Sequence, residues 1–228
     1  GAVILQHIVA PLDHITRRNT AWQELAEHTE LVVAFGGIPI RNAMVSGGGN
    51  SQHVAPGALR RAGERGARFV LVGPIRDDLS GVVDVTWMPI TPGTDTAFML
   101  GLAHTLVAEK LHDVAALEKF ATGYPEFERY LLGLTDGQPK TADWAAGISG
   151  LAADDVRKLA RQMAASRTLI NVSYSLQRAE HGEQPVWMAL TLAAMLGQVG
   201  LEGGGFMFGL GSIGNVGKGT LTAPLPTL

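Results

Sequence analysis

Short apolar runs alternate with longer apolar or amphipathic segments along most of the chain. The runs at residues 31–35, 69–72 and 168–172, together with the partly alternating run at 82–88, predict four strands. Helices are predicted at residues 20–28, 58–65, 94–110, 124–134, 141–148, 152–166 and 186–199. Runs that are apolar at every position are typical of strands buried on both faces of a sheet. The pattern therefore predicts an α/β fold with a mostly parallel sheet flanked by helices.

The two ends of this pattern carry more specific expectations. Thr20 and Gln23 have the spacing of a capping box, which predicts that Thr20 caps the first helix of the pattern. Between residues 203 and 219 there are eight glycines, and residues 46–51 form another glycine-rich loop. We expect one α/β domain over residues 1–202, followed by an extended Gly-rich C-terminal tail, residues 203–228. This tail has few anchoring side chains and is expected to pack on parts outside the chain.

Composition narrows the classes of function. Hydrophobic residues make up 46% of the chain and charged residues 17%, which predicts a large buried core. The net charge of -3 offers no basic field for nucleic acid. No apolar run approaches the roughly 20 residues of a membrane span. The absence of cysteine excludes thiolate metal sites and cysteine nucleophiles from this chain.

Polar residues gather at 173–188, between the last predicted strand and an apolar helix. This stretch is either a solvated loop or a place where a polar ligand satisfies its side chains. In an open parallel sheet, ligands lie outside the carboxyl ends of the strands. Three further segments leave those ends, at residues 36–39, 73–76 and 91–95. We therefore expect the four segments to form one binding site for a nucleotide-like ligand.

Single residues in these segments leave alternatives open. Thr94 or Asp95 could cap the following helix, or Asp95 could accept hydrogen bonds from a ribose diol or a guanine edge. Arg178 offers a fork of donors for phosphate or carboxylate, or it forms a surface salt bridge. His181 could be oriented by Glu183, or it could be structural.

Several familiar catalytic patterns are missing. The glycines at 36–37 and 47–49 do not form a dinucleotide fingerprint, and Lys140 lacks the glycine frame of a P-loop. Ser173 and Ser175 lack a nucleophile elbow, and the histidines lack paired metal spacing. These patterns therefore give no direct support for NAD or ATP binding, a hydrolase triad or a paired-histidine metal site.

Longer segments carry a resemblance to a known family. Residues 92–107, 139–145, 175–188 and 192–206 resemble, in order, segments of the dimethyl sulfoxide reductase family of molybdopterin oxidoreductases. The biotin sulfoxide, trimethylamine N-oxide and dimethyl sulfoxide reductase branch is the most similar. The resemblance implies a Rossmann-like domain that binds one guanine dinucleotide of a bis(molybdopterin guanine dinucleotide) molybdenum cofactor. Carried over by position, the binding residues are Gly37, Ile38, Gly73, Pro74, Gly93, Thr94, Asp95, Tyr174, Ser175 and Arg178.

Three of these positions depart from the family pattern. Ile38 stands where Asn or Asp is usual, Gly73 where Asp is common, and Tyr174 where Trp is common. Two side-chain hydrogen bonds to the nucleotide are therefore expected to be missing, and backbone groups, Asp95 and Arg178 would carry more of the binding.

The resemblance also implies what surrounds the chain. By this resemblance, the family's serine ligand to molybdenum would lie before this chain and the second cofactor-binding domain after it, so no residue of the chain is assigned as catalytic or as a metal ligand. The intact enzyme would reduce S- or N-oxides by oxygen-atom transfer, in the cytoplasm or the periplasm, with the remaining domains as partners. We expect the isolated chain to be inactive, and it can be empty of cofactor. The alternative is a stand-alone, non-catalytic guanine-nucleotide-binding α/β module.

Overall fold

Five strands form one parallel sheet in a computed structural model that describes residues 2–8, 11, 20–45, 53–214 and 216–217. They are β1 (Leu31–Phe35), β2 (Arg68–Val72), β3 (Thr86–Met88), β4 (Thr168–Val172) and β5 (Gly205–Phe208). Their order across the sheet is β3-β2-β1-β4-β5, and every neighbouring pair is parallel. The last residue of β1, Phe35, lies opposite Val72 of β2 and Val172 of β4. The central strands therefore end together at one edge.

Nine α-helices are described. They are α1 (Ala2–Ile8), α2 (Trp22–His28), α3 (Ala55–Glu64), α4 (Asp95–Ala108), α5 (Val114–Phe120), α6 (Tyr124–Leu131), α7 (Ala142–Ser149), α8 (Ala153–Ala164) and α9 (Glu183–Met195). Short 3-10 turns cover Asn42–Met44, Asp77–Leu79 and Tyr174–Gln177. None of the described helices is both long and apolar enough to cross a bilayer.

Separate cores fill the two faces of the sheet. Val33 and Phe35 of β1 pack with residues of α4, α8 and α9 on one face. Val32 and Ala34 point to the other face, where they pack with residues of α2 and α3. Successive residues of a strand face opposite sides, so a strand covered on both faces is apolar throughout. The α/β fold expected from the sequence is confirmed.

Two local expectations are wrong. The strand expected at 82–88 is only Thr86–Met88, because the N–H groups of Val82 and Val83 donate to Leu79 O in a turn. The capping box does not form: Ala21 is the N-cap, and no side-chain bond caps the helix. Instead, Trp22 N–H donates to Gly217 O over 2.7 Å, so the start of α2 is held by a distant segment. The predicted loop at 46–51 lies outside the described residues.

The start of the expected tail is part of the sheet. β5 lies beyond residue 202 and pairs with β4, so a boundary at 202 would separate a strand from its sheet. Leu210 and Val216 are also buried. The glycines permit this packing, because a Cβ on Gly209 would come within 2.1 Å of the Tyr174 ring, and one on Gly211 within 2.5 Å of Ile38. β5, Leu210 and Val216 are therefore anchored to the described domain, whereas residues 215 and 218–228 of the expected tail lie outside the described residues.

Candidate functional site at the carboxyl edge of the sheet

A cavity of about 650 Å³ opens at the carboxyl ends of the central strands. It is lined by parts of all four strand-end segments named from the sequence. Six of the ten sequence-predicted residues line it: Gly37, Gly73, Pro74, Gly93, Asp95 and Ser175. The other four, Ile38, Thr94, Tyr174 and Arg178, are not among its lining residues.

The part of the cavity wall next to β1 and β2 contains three glycines, Gly36, Gly37 and Gly73. Gly36 and Gly37 follow β1 with φ of +75° and +82°, in the left-handed region that glycine tolerates best. Gly36 N–H donates to Val72 O over 2.8 Å, which holds the turn against β2. After β2, Gly73 N–H donates to Met88 O over 3.1 Å. The space beside Gly36 is taken by Ser173 and that beside Gly37 by the Asp78 carboxyl group, so the glycines here let other parts of the protein pack closely.

Asp95 is the first residue of α4 and is only 4% exposed. Burial raises the pKa of its carboxyl from 3.8 to about 6, and the hydrogen bond from its own N–H acts in the opposite direction. In the described part of the chain, that N–H is the only hydrogen-bond partner of the carboxyl. Buried carboxyl groups are costly unless they are paired. Asp95 therefore has unused acceptor positions at the cavity wall.

The helix-cap alternative does not hold for Thr94. Thr94 is the N-cap of α4, but its side chain accepts no capping bond. Its hydroxyl instead donates to Thr91 O over 2.6 Å. This bond closes the turn that contains Gly93, whose φ is +84°. Thr94 therefore positions the start of α4 rather than capping it through its side chain.

Sequence reasoning missed Asp78. This residue lies on the 3-10 turn Asp77–Leu79, lines the cavity and is 8% exposed. Burial raises its pKa, whereas the nearby Arg41 guanidinium and a hydrogen bond from Ile38 N–H act to lower it. In the sequence, Asp78 stands in a polar run after a strand, which is the pattern of a solvated turn. Only its burial distinguishes it, and no local pattern signals that burial.

Ile38 and Tyr174 lie behind the cavity wall. The Ile38 side chain is fully buried, and its N–H holds Asp78. The Tyr174 ring packs edge-on against Phe208 of β5, with 4.8 Å between centroids. Ser175, which does line the cavity, follows on the same 3-10 turn and shares a 3.1 Å hydroxyl contact with Ser173.

The charged loop before α9 differs from the sequence expectation. Arg178 is exposed, and no described carboxylate forms an ion pair with its guanidinium, so the salt-bridge alternative is not seen within the described ranges. His181 lines the cavity with its Nε2 3.9 Å from a carboxylate oxygen of Glu180. The ring is thus beside Glu180, while Glu183 begins α9.

The cavity is acidic. Among the described residues, its titratable lining residues are Asp78, Asp95, Glu180 and His181, and none of the described lining residues is Lys or Arg. Such a wall disfavours a phosphate and favours groups that donate hydrogen bonds. The electrostatics therefore fit the uncharged, donor-rich end of a nucleotide better than its diphosphate.

A separate cluster lies on the surface. Glu24, His28 and Glu202 place one ligand atom each within 4.8 Å of one another. The His28 Nε2 lies 3.9 Å from Glu24 and 3.8 Å from Glu202, and all three side chains are substantially exposed. These distances are those of weak surface ion pairs, and we assign no ion to the cluster.

The strand order, the helices on both faces and the cavity at the strand ends together define a Rossmann-like α/β protein. The chain belongs to the molybdopterin oxidoreductase family, whose sequence model matches residues 10–223. The family expected from the sequence is thereby confirmed.

Three relatives with similar sequences are named as S- or N-oxide reductases. The chain is 44% identical over 95% of its length to a biotin sulfoxide reductase of Cereibacter sphaeroides. It is 41% identical over 90% to a dimethyl sulfoxide/trimethylamine N-oxide reductase of the same organism. It is 37% identical over 90% to a trimethylamine-N-oxide reductase of Haemophilus influenzae. The chain spans only 29%, 25% and 24% of these three proteins, respectively.

A solved structure supports the fold. Acetylene hydratase from Pelobacter acetylenicus matches with a TM-score of 0.63 at 21% identity. The match covers 81% of this chain and 23% of that protein. At this identity, the likeness concerns the fold alone.

Proposed function

We propose that this chain is the part of a molybdenum-dependent S- or N-oxide reductase that binds one guanine dinucleotide of a bis(molybdopterin guanine dinucleotide) cofactor. Membership of the molybdopterin oxidoreductase family supports binding of a molybdopterin cofactor, and the relatives' names support an S- or N-oxide as the type of substrate. The observation that supports nucleotide binding is the burial of Asp95, whose carboxyl group lies at the cavity wall and has no partner among the described residues beyond its own N–H.

The chemistry of a guanine edge fits this carboxyl group. Guanine presents an amino group and a ring N–H side by side, and a carboxylate accepts two parallel hydrogen bonds. A cavity of about 650 Å³ falls within the ~300–1,000 Å³ range of small-molecule sites. Binding would give Asp95 the partners that its burial requires, at about 1.5–3 kcal/mol for each charged hydrogen bond.

The other proposed contacts follow from position. Gly93, where an added Cβ would meet nothing within 4 Å, would offer close backbone approach, and Ser175 a hydroxyl group. Gly37, Gly73 and Pro74 would form the wall beside Asp78. Thr94 would hold the turn that presents Asp95. Ile38 and Tyr174 would support the wall from behind, and the exposed Arg178 would meet the more anionic part of the ligand outside the cavity.

The molybdenum centre would supply oxygen-atom transfer, and this chain would supply binding and orientation. The relatives are about four times as long as the matched region, so the substrate is proposed for the whole protein. We propose biotin sulfoxide, dimethyl sulfoxide or trimethylamine N-oxide as the class of substrate. The 228-residue chain alone is expected to reduce none of them.

Metal and nucleotide analysis of the whole protein that contains this chain tests the proposal. We expect molybdenum by mass spectrometry and guanosine monophosphate after acid hydrolysis, with less of the nucleotide in Asp95→Ala. Glu118→Gln, which removes an exposed carboxyl group of α5, is the control. An active preparation without molybdenum and without guanine nucleotide would refute the proposal. Binding of guanosine diphosphate by a whole protein that never carries molybdenum would favour the stand-alone module.

A further inference from the structure

Two carboxyl groups, not one, are more than nine-tenths buried at the cavity wall. Asp95 begins α4, whereas Asp78 lies on the turn that follows β2, so the two approach from different strand ends. Asp78 is 8% exposed and lines the same cavity. The proposed guanine contact uses Asp95 and leaves Asp78 without a role.

The known partners of Asp78 use little of its acceptor capacity. Ile38 N–H donates to its carboxyl, and the Arg41 guanidinium acts on it electrostatically. In the described residues, no Lys or Arg lies within ion-pair distance of it. An ionised carboxyl group has about four acceptor positions. The remaining positions are available to a ligand in the cavity.

On its own side of the cavity, among the described residues, Asp78 has no neighbouring polar side chain in the lining. The lining residues contributed by β1, β2 and the segments after them are Gly36, Gly37, Leu71, Gly73, Pro74, Ile75 and Asp78. Asp78 is the only one of these with a polar side chain. A Cβ on Gly37 would lie 2.0 Å from its Oδ2, so the carboxyl group occupies the space that a side chain at 37 would fill.

We infer that Asp78 binds the ribose hydroxyl groups of the nucleotide, while Asp95 binds the base. The inference rests on the proposed function. A vicinal diol offers two O–H donors to one carboxylate, and an acidic residue after the second strand is the usual ribose ligand of Rossmann-like sheets. The side chain of Asp78 thereby replaces contacts that Ile38 and Gly73 cannot make through their own side chains.

Binding of sugar variants by the whole protein that contains this chain, prepared free of its cofactor, tests this assignment. By calorimetry, we expect guanosine diphosphate to bind about tenfold or more tightly than its 2′,3′-dideoxy form, since a charged hydrogen bond is lost. Asp78→Asn should reduce this sugar preference to less than about threefold and leave the preference for guanosine over adenosine diphosphate unchanged. Asp77→Asn, an exposed neighbour on the same turn, should change neither preference.

The outcomes separate the two proposals. If the wild-type protein binds the ribose and dideoxy forms equally well, nucleotide binding stands and the assignment of Asp78 is refuted, with no variant needed. An unchanged sugar preference in a folded Asp78→Asn variant refutes it as well. If the protein binds neither nucleotide, the assignment of Asp78 is refuted; the proposed function fails only if the active whole protein also lacks molybdenum and guanine nucleotide.

Discussion

Replacing Asp95 by Asn should make the protein more stable at neutral pH and a weaker nucleotide binder. The Asn side chain keeps the shape of the buried carboxyl group and never ionises. At pH 7 the wild-type protein carries the cost of an ionised Asp95 that is 4% exposed and, within the described ranges, has only its own N–H as a hydrogen-bond partner. A residue kept at such a cost is typical of a binding site.

The magnitude follows from the pKa of Asp95. This pKa is raised from 3.8 in an exposed carboxyl group to about 6 in the folded protein. One pKa unit corresponds to about 1.4 kcal/mol, so the shift of about two units is worth about 3 kcal/mol. The folded state holds the proton more tightly than the unfolded state. The proton on Asp95 therefore stabilises the folded state fully below pH 3.8, and this stabilisation is lost as pH rises through about 6.

Urea unfolding between pH 4 and pH 7.5 measures this effect. The free energy of unfolding of Asp95→Asn minus that of the wild type should rise by about 2.4 kcal/mol across this range, with most of the change between pH 4 and 6.5. The control Glu118→Gln removes an exposed carboxyl group and should show a much smaller change. A difference between Asp95→Asn and wild type that is constant with pH would refute the reasoning.

Three further perturbations test the packing around the site. Gly37→Ala should cost about 2–4 kcal/mol in unfolding free energy, because it adds a clash with a carboxylate oxygen to left-handed backbone strain; Gly93→Ala, which has the same strain and open space, should cost only about 1 kcal/mol. Equal losses would show that the clash is unimportant. Lys140→Ala should cost about 2 kcal/mol in unfolding free energy, because the buried ammonium group contacts Asp136 and lies 4.4 Å from the Tyr130 ring centroid. The exposed Lys119→Ala is the control, with an expected loss below about 1 kcal/mol. Similar losses for the two variants would count against the buried contact. A chain ending at residue 202 should unfold several kcal/mol more easily than one ending at 217, because it lacks β5; identical unfolding curves would contradict that role.

The strands show where sequence patterns suffice and where they fail. β1 and β4 were predicted with their observed bounds, because a strand buried on both faces must be apolar at every position. β5 was missed, because Gly205–Phe208 stands in a glycine-rich segment that locally resembles a turn. Its strand conformation depends on pairing with β4, more than 30 residues away.

The candidate site likewise has features that the sequence predicts and features that it does not. Parallel strands end at one edge, so their order along the chain was enough to bring the four segments together. The sequence could not distinguish Gly37 at the cavity wall from Ile38 behind it, because neighbouring residues of a turn point in directions set by the surrounding fold. Asp78 and Asp77 are likewise identical in type and adjacent, yet only Asp78 is buried.

The sequence by itself determined the α/β class, the family resemblance and the four segments that form the candidate site. These features depend on local periodicity and on residues close together in the chain. Only the tertiary structure decided that Asp78 joins Asp95 at the cavity wall and that a glycine-rich segment completes the sheet. Burial and strand pairing arise from contacts between distant segments, and no local pattern of residues encodes those contacts.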